Sequence, residues 1–123
     1  MKPLNPSTIP TFLERFESFA DAELSSLDII SPTQISLSIN VQDKAKAFDW
    51  ITLELEFSGV SDAKLVEESQ LGFIDMQEGA SLLYEEGLFA FGIGACYNIA
   101  TIKNSVLFLH ASSLKYEEKP FQG

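Results

Sequence analysis

Two neighbouring stretches of this chain alternate apolar and polar residues: QISLSINVQ (34–42) and FDWITLELEF (48–57). In the first, Ile35, Leu37, Ile39 and Val41 fall on one side, with Ser36, Ser38 and Asn40 on the other. In the second, Ile51, Leu53, Leu55 and Phe57 oppose Trp50, Thr52, Glu54 and Glu56. A period of two is the signature of a strand with one dry and one wet face. Because only a short polar stretch around DKAKA separates them, the two strands are expected to form an antiparallel hairpin. Gly59 is expected to end the second.

The remainder reads around that hairpin. Pro3, Pro6 and Pro10 lack a backbone donor and hold φ, so residues 1–10 are expected to be an extended lead-in. Thr11 and Glu14 have capping-box spacing, and Phe12, Leu13, Phe16, Phe19 and Ala20 share a helical face, which predicts a short helix over 11–20. Leu27 and Ile29 alternate ahead of Ser31-Pro32, favouring a strand over a helical extension for residues 22–30. AKLVEE, GFIDM, SLLYEE, LFAFGIGACY and SVLFLHASS are short runs with Gly72, Gly79 and Gly87 between or after them, and read as further strands.

In SVLFLHASS both alternating sets are apolar, so this strand should be covered on both faces. In LFAFGIGACY, Phe89, Phe91, Ile93 and Tyr97 oppose Ala90, Gly92, Gly94 and Cys96, and the small-residue side is expected to seat the Phe-rich helix. The expected fold is all-β, a mainly antiparallel β-sandwich or partly open barrel of about seven or eight strands with one short N-terminal α-helix. A single domain is expected over 1–123, its β portion at 22–113 and a tail at 114–123.

Composition excludes several functions. Hydrophobic residues make up 46% of the chain and include ten Phe, enough for a packed core and against disorder. Cys96 is the only cysteine and MKPLNPSTIP has no apolar run, so a reducing, cytoplasmic setting is expected. The uncharged stretch 88–102 is broken by Gly92, Gly94 and Asn98 and is shorter than the roughly 20 apolar residues of a membrane span. A net charge of −10 disfavours nucleic acid and anionic lipid and draws in basic proteins.

Motifs for chemistry are sparse. Gly92 and Gly94 begin a dinucleotide fingerprint, but Tyr97 occupies the third glycine position, and no cofactor is expected. One His and one Cys do not make a zinc site, and no DxDxDG loop offers calcium ligands. Of the paired acids, Glu67-Glu68, Glu85-Glu86 and Glu117-Glu118 are consecutive and diverge on a strand, whereas Glu54 and Glu56 lie about 7 Å apart on one face. Two functional expectations result. The first is a non-enzymatic binding module, monomer or homodimer, presenting Trp50, Thr52, Glu54 and Glu56 to a basic protein partner, with Trp50 as anchor unless its ring folds under a neighbouring loop or the helix, the arrangement favoured for a Trp at a strand's start. The second is a small-molecule binder or unrecognised enzyme with an apolar, aromatic-lined pocket reached by Cys96, Tyr97 and His110.

Overall fold

The computed structural model describes residues 1–122. Its strands are β1 (Lys2–Pro3), β2 (Glu23–Ser31), β3 (Gln34–Asp43), β4 (Asp49–Lys64), β5 (Ala80–Glu85), β6 (Leu88–Ile93) and β7 (Phe108–Pro120), and its α-helices are α1 (Ile9–Arg15) and α2 (Ile99–Ile102). All strand pairings are antiparallel, in one sheet of order β2-β3-β4-β7-β6-β5 with β1 added to β7. The fold is therefore all-β with a short N-terminal helix, and the sheet does not close.

The alternating stretches pair as β3 and β4. Ile35 faces Phe57, Leu37 faces Leu55, Ile39 faces Leu53 and Val41 faces Ile51, all buried. A one-residue slip would turn every one of these side chains to water, so this register is strongly specified. Gly59 does not end β4, which runs on to Lys64. It instead takes φ +65, where a Cβ would lie 2.0 Å from the Ser112 hydroxyl oxygen. Glycine thus permits a bend where β4 and β7 approach closely. Beyond the bend, Leu109 and Ala111 join the same core as Leu114, so the alternation of β7 slips at Ser112–Ser113.

The expected tail is mostly strand: residues 114–120 complete β7, between β4 and β1. α1 begins at Ile9, with Pro10 in its first turn and no side-chain cap from Thr8, so the Thr11–Glu14 capping box is not its start. It ends at Arg15 rather than at 20, because Glu17, Ser18 and Phe19 adopt φ of 52°, 52° and 60°. Left-handed backbone costs roughly 1–2 kcal/mol per residue. The turn swings Phe19 into the core beside Phe12, Phe16 and Phe91, with ring centroids 6.1–6.3 Å away. Burying a Phe contributes roughly 1.5–3 kcal/mol, which offsets much of that strain.

GFIDM is not a strand. Residues 68–73 form a 3-10 helix whose Leu71, with Met76 beyond it, anchors a loop to the core, while Phe73 is exposed. Of AKLVEE only Ala63 and Lys64 belong to a strand. SLLYEE and LFAFGI form the β5–β6 hairpin.

The Phe-rich helix packs on the side of Phe91, opposite to the small residues. The small strip seats α2 instead, where a Cβ on Gly92 would meet Ile102 at 3.2 Å. Ile102, Ala90 and Phe108 form a satellite core there. β7 is consequently covered on both sides at its start, by the main core at Leu109 and by α2 at Phe108. Among the described residues no helix is long and apolar enough to cross a membrane.

Candidate functional site

Trp50, Thr52, Glu54 and Glu56 lie on the side of β4 opposite to α1, as the alternation requires. They differ sharply in what they offer. Thr52 is 1% exposed: its hydroxyl donates to Asn40 Oδ1 at 2.6 Å and accepts the Gln122 backbone N–H at 2.9 Å. Glu54 accepts the Ser36 hydroxyl at 2.9 Å and is ion-paired with Lys119. Hydrogen bonding from Lys119, with help from Ser36, outweighs burial and holds the Glu54 carboxyl below its ordinary pKa. Glu56 accepts Gln34 Nε2 at 2.8 Å, and among the described residues no cation lies within salt-bridge distance of it. Trp50 is 39% exposed and packs against Phe121 at 6.0 Å between ring centroids, near the half-exposed Phe48 of the preceding turn.

Side chains on this face therefore hold one another in place. Gln34 to Glu56, Ser36 to Glu54 and Thr52 to Asn40 make a ladder of hydrogen bonds across β3 and β4. β7 adds Lys115, opposite Glu56, and Lys119, which pairs with both Glu54 and Glu117. The amino terminus also reaches Glu117, at 3.9 Å. Three carboxylates and three cations meet on the β4–β7 part of the face, so its local charge is balanced.

Sequence reading missed these cations because residues 114–123 looked like a tail. The signal was present: Lys115, Glu117 and Lys119 alternate with Leu114, Tyr116 and Glu118. Charge at nearly every position hid the period of two.

The excess negative charge lies elsewhere. Residues 16–43 and 65–102 contain no Lys or Arg, and among the described residues Asp43 alone of their acids is in a salt bridge. A hydrogen bond from Asp21 N to Met76 O, 2.8 Å, ties the first stretch to the second on the α1 side. Asp43 belongs to a structural staple: Arg15 grips it through Nε (2.8 Å) and Nη2 (2.6 Å) while Nη1 reaches Glu118 at 2.9 Å.

The second group of residues does not converge by hydrogen bonding. The Cys96 thiol is half-buried, with Sγ 3.9 Å from the Ile93 carbonyl. Tyr97 is 84% exposed. His110 is 3% exposed, lies 5.2 Å from the Phe108 ring with the two planes tilted by 50°, stands opposite Asp62, and its Nε2 has no partner among the described residues. Burial pushes the His110 pKa below its ordinary value, with Asp62 and Lys103 acting in opposite directions. A groove of about 240 Å³ is lined by Cys96 but not by His110 or Tyr97. Among the described residues, no three His, Cys, Asp or Glu side chains gather to hold a metal ion. Searches for similar proteins match no family model, no curated protein and no solved structure.

Proposed function

We propose that this protein is a non-enzymatic interaction module of the cytoplasm that binds a basic protein through the open face of its sheet. The observation that carries the reading is the aromatic end of that face: Trp50 with Phe48 and Phe121, each at least 39% exposed, beside a hydrogen-bonded ladder. Large rings on a surface already held in place lose little freedom on binding, and Trp is enriched among the residues that dominate interface energy. The net charge of −10 acts at longer range, steering a cationic partner toward the molecule. Within the face Glu56, rather than Glu54, is the carboxylate that offers an incoming cation a partner, since Glu54 already holds Lys119.

The test is affinity capture from cytosol on the immobilised protein at about 50 mM and about 500 mM salt, conditions that bracket strong and weak screening. Basic proteins should be retained at low salt, released at high salt, and lost on Trp50→Ala and Glu56→Lys baits but not on a Glu67→Gln bait. A captured set that is the same for wild type and Trp50→Ala would remove the sheet face from the interface.

A further inference from the structure

The strand order leaves β2 and β5 at its two ends, and the two-residue β1 makes a short further edge beside β7. The register of β2 is interrupted twice, between Leu24 and Ser26 and between Ile29 and Ser31. Such bulges twist an edge and spoil it as a template for another chain. β5 is different. It pairs with β6 without interruption over Ala80–Glu85, and among the described residues its backbone makes no hydrogen bond other than to β6. In an antiparallel edge strand alternate residues turn their N–H and C=O groups outward, so about half of this strand's backbone groups are available to a further strand.

The surroundings of that edge select what can add to it. The groove of about 240 Å³ runs beside Ala80–Leu83, with Leu13 and Ser18 from the α1 side and Ala95 and Cys96 from the segment after β6. Its floor is largely apolar, fitted to an aliphatic side chain. Glu78 lines it at one end, and Glu85 and Glu86 follow at the other end of the strand. The segments that form it carry one base, Arg15, whose guanidinium is engaged by Asp43 and Glu118. A second copy of this chain is a poor occupant. Two-fold antiparallel pairing of β5 with itself would bring Glu78 of each copy toward Glu85 and Glu86 of the other, and like charges across strands are destabilising.

We infer that the free edge of β5 is a strand-addition site for an extended, basic segment of a partner protein. Main-chain hydrogen bonds supply affinity, and alternate side chains supply specificity. Aliphatic residues of the segment enter the groove, and Lys or Arg at its ends meets Glu78 and Glu86. The inference rests on the proposed function for the basic character of the partner, but uses a different surface.

The test is an NMR titration of the ¹⁵N-labelled full chain with a capped nine-residue peptide alternating Lys and Val. Shifts should centre on Ala80–Glu85, with slowed exchange of the outward amides and slower alkylation of Cys96 by iodoacetamide. Combining Glu78→Lys with Glu86→Lys should weaken binding by about tenfold or more, equivalent to 1.4 kcal/mol, whereas Asp28→Lys on the opposite edge should leave it unchanged. Four results would overturn the site: no binding at about 1 mM peptide, equal binding of a Glu/Val peptide or of nona-lysine, shifts centred on the Trp50 face, or light scattering showing a dimer paired through β5. Success here with identical capture by wild type and Trp50→Ala would retire the face reading alone. Failure here with capture lost on Trp50→Ala would retire the edge site alone.

Discussion

Replacing Arg15 by Met tests whether the staple between α1, β3 and β7 stabilises the fold. Asp43 is fully buried, and among the described residues its carboxylate's one hydrogen bond apart from Arg15 is from the Ala45 N–H, at 2.9 Å. Removing one partner of a buried ion pair typically costs about 3–5 kcal/mol, because the remaining charge is left uncompensated. Arg15 and Glu118 are each partly exposed, so water reaches the vacated side and the lower end, about 3 kcal/mol, is expected. Met keeps the aliphatic packing but loses the guanidinium's contact over the Phe16 ring, 4.8 Å away. That contact is worth about 0.5–1 kcal/mol. In a domain of this size the sum lowers Tm by roughly 10–15 °C.

The pH dependence gives a second handle. Hydrogen bonding from Arg15 is the main cause holding Asp43 and Glu118 below their ordinary values of 3.8 and 4.5. Carboxyls with depressed pKa stabilise the fold above those ordinary values, and this stability is lost as pH falls through the folded-state values. In Arg15→Met, Asp43 retains its burial without its cation, so it takes up a proton more readily than in the wild type. The stability gap should therefore be widest near about pH 7 and shrink toward about pH 3. Guanidinium melts followed by far-UV circular dichroism at both ends of that range measure it. The double variant Arg15→Met/Asp43→Asn should recover part of the loss at neutral pH. A cost below about 1 kcal/mol, or a gap that does not change with pH, would show the network to be an ordinary surface ion pair.

Two further predictions concern other buried constraints. Gly79 (φ +71) would place a Cβ 2.1 Å from the Ser18 carbonyl oxygen, whereas Gly87 (φ +81) faces open space. Gly87→Ala should cost about 1–2 kcal/mol from backbone strain alone and Gly79→Ala more than about 3 kcal/mol, so equal denaturation midpoints would disprove the close approach. His110 resists protonation in the folded state, so stability should decline as pH drops through its ordinary value of 6.5, and His110→Phe should flatten that part of the profile. Thermal melts between about pH 5 and about pH 7.5 read the difference, and an unchanged slope would mean that His110 is solvated.

What could be read from the chain alone is the part governed by local periodicity. The alternation of Ile35 to Val41 and of Ile51 to Phe57 dictated two strands, their inward faces and their pairing, because a half-buried strand has one arrangement that keeps every such residue dry. A strand over 22–30, found at Glu23–Ser31, was legible from the alternation of Leu27 and Ile29, and two-sided burial at Phe108 and Leu109 from the lack of a polar set in SVLFLHASS. The placement of Trp50 and Glu56 on the wet side of β4 also follows from that period.

Tertiary structure decided what depends on neighbours distant in sequence. Whether Glu54 presents a free charge was settled by Lys119, 65 positions away along the chain and adjacent across the sheet. The seat of the Phe-rich helix was settled by a left-handed turn in Glu17–Phe19, whose strain the burial of Phe19 offsets in large part. Which edge of the sheet stays open was settled by bulges in β2 and an uninterrupted β5. Periodicity is a property of consecutive residues and survives reading in one dimension. Charge balance, strain and edge exposure are sums over contacts, and those contacts exist only once the chain has folded.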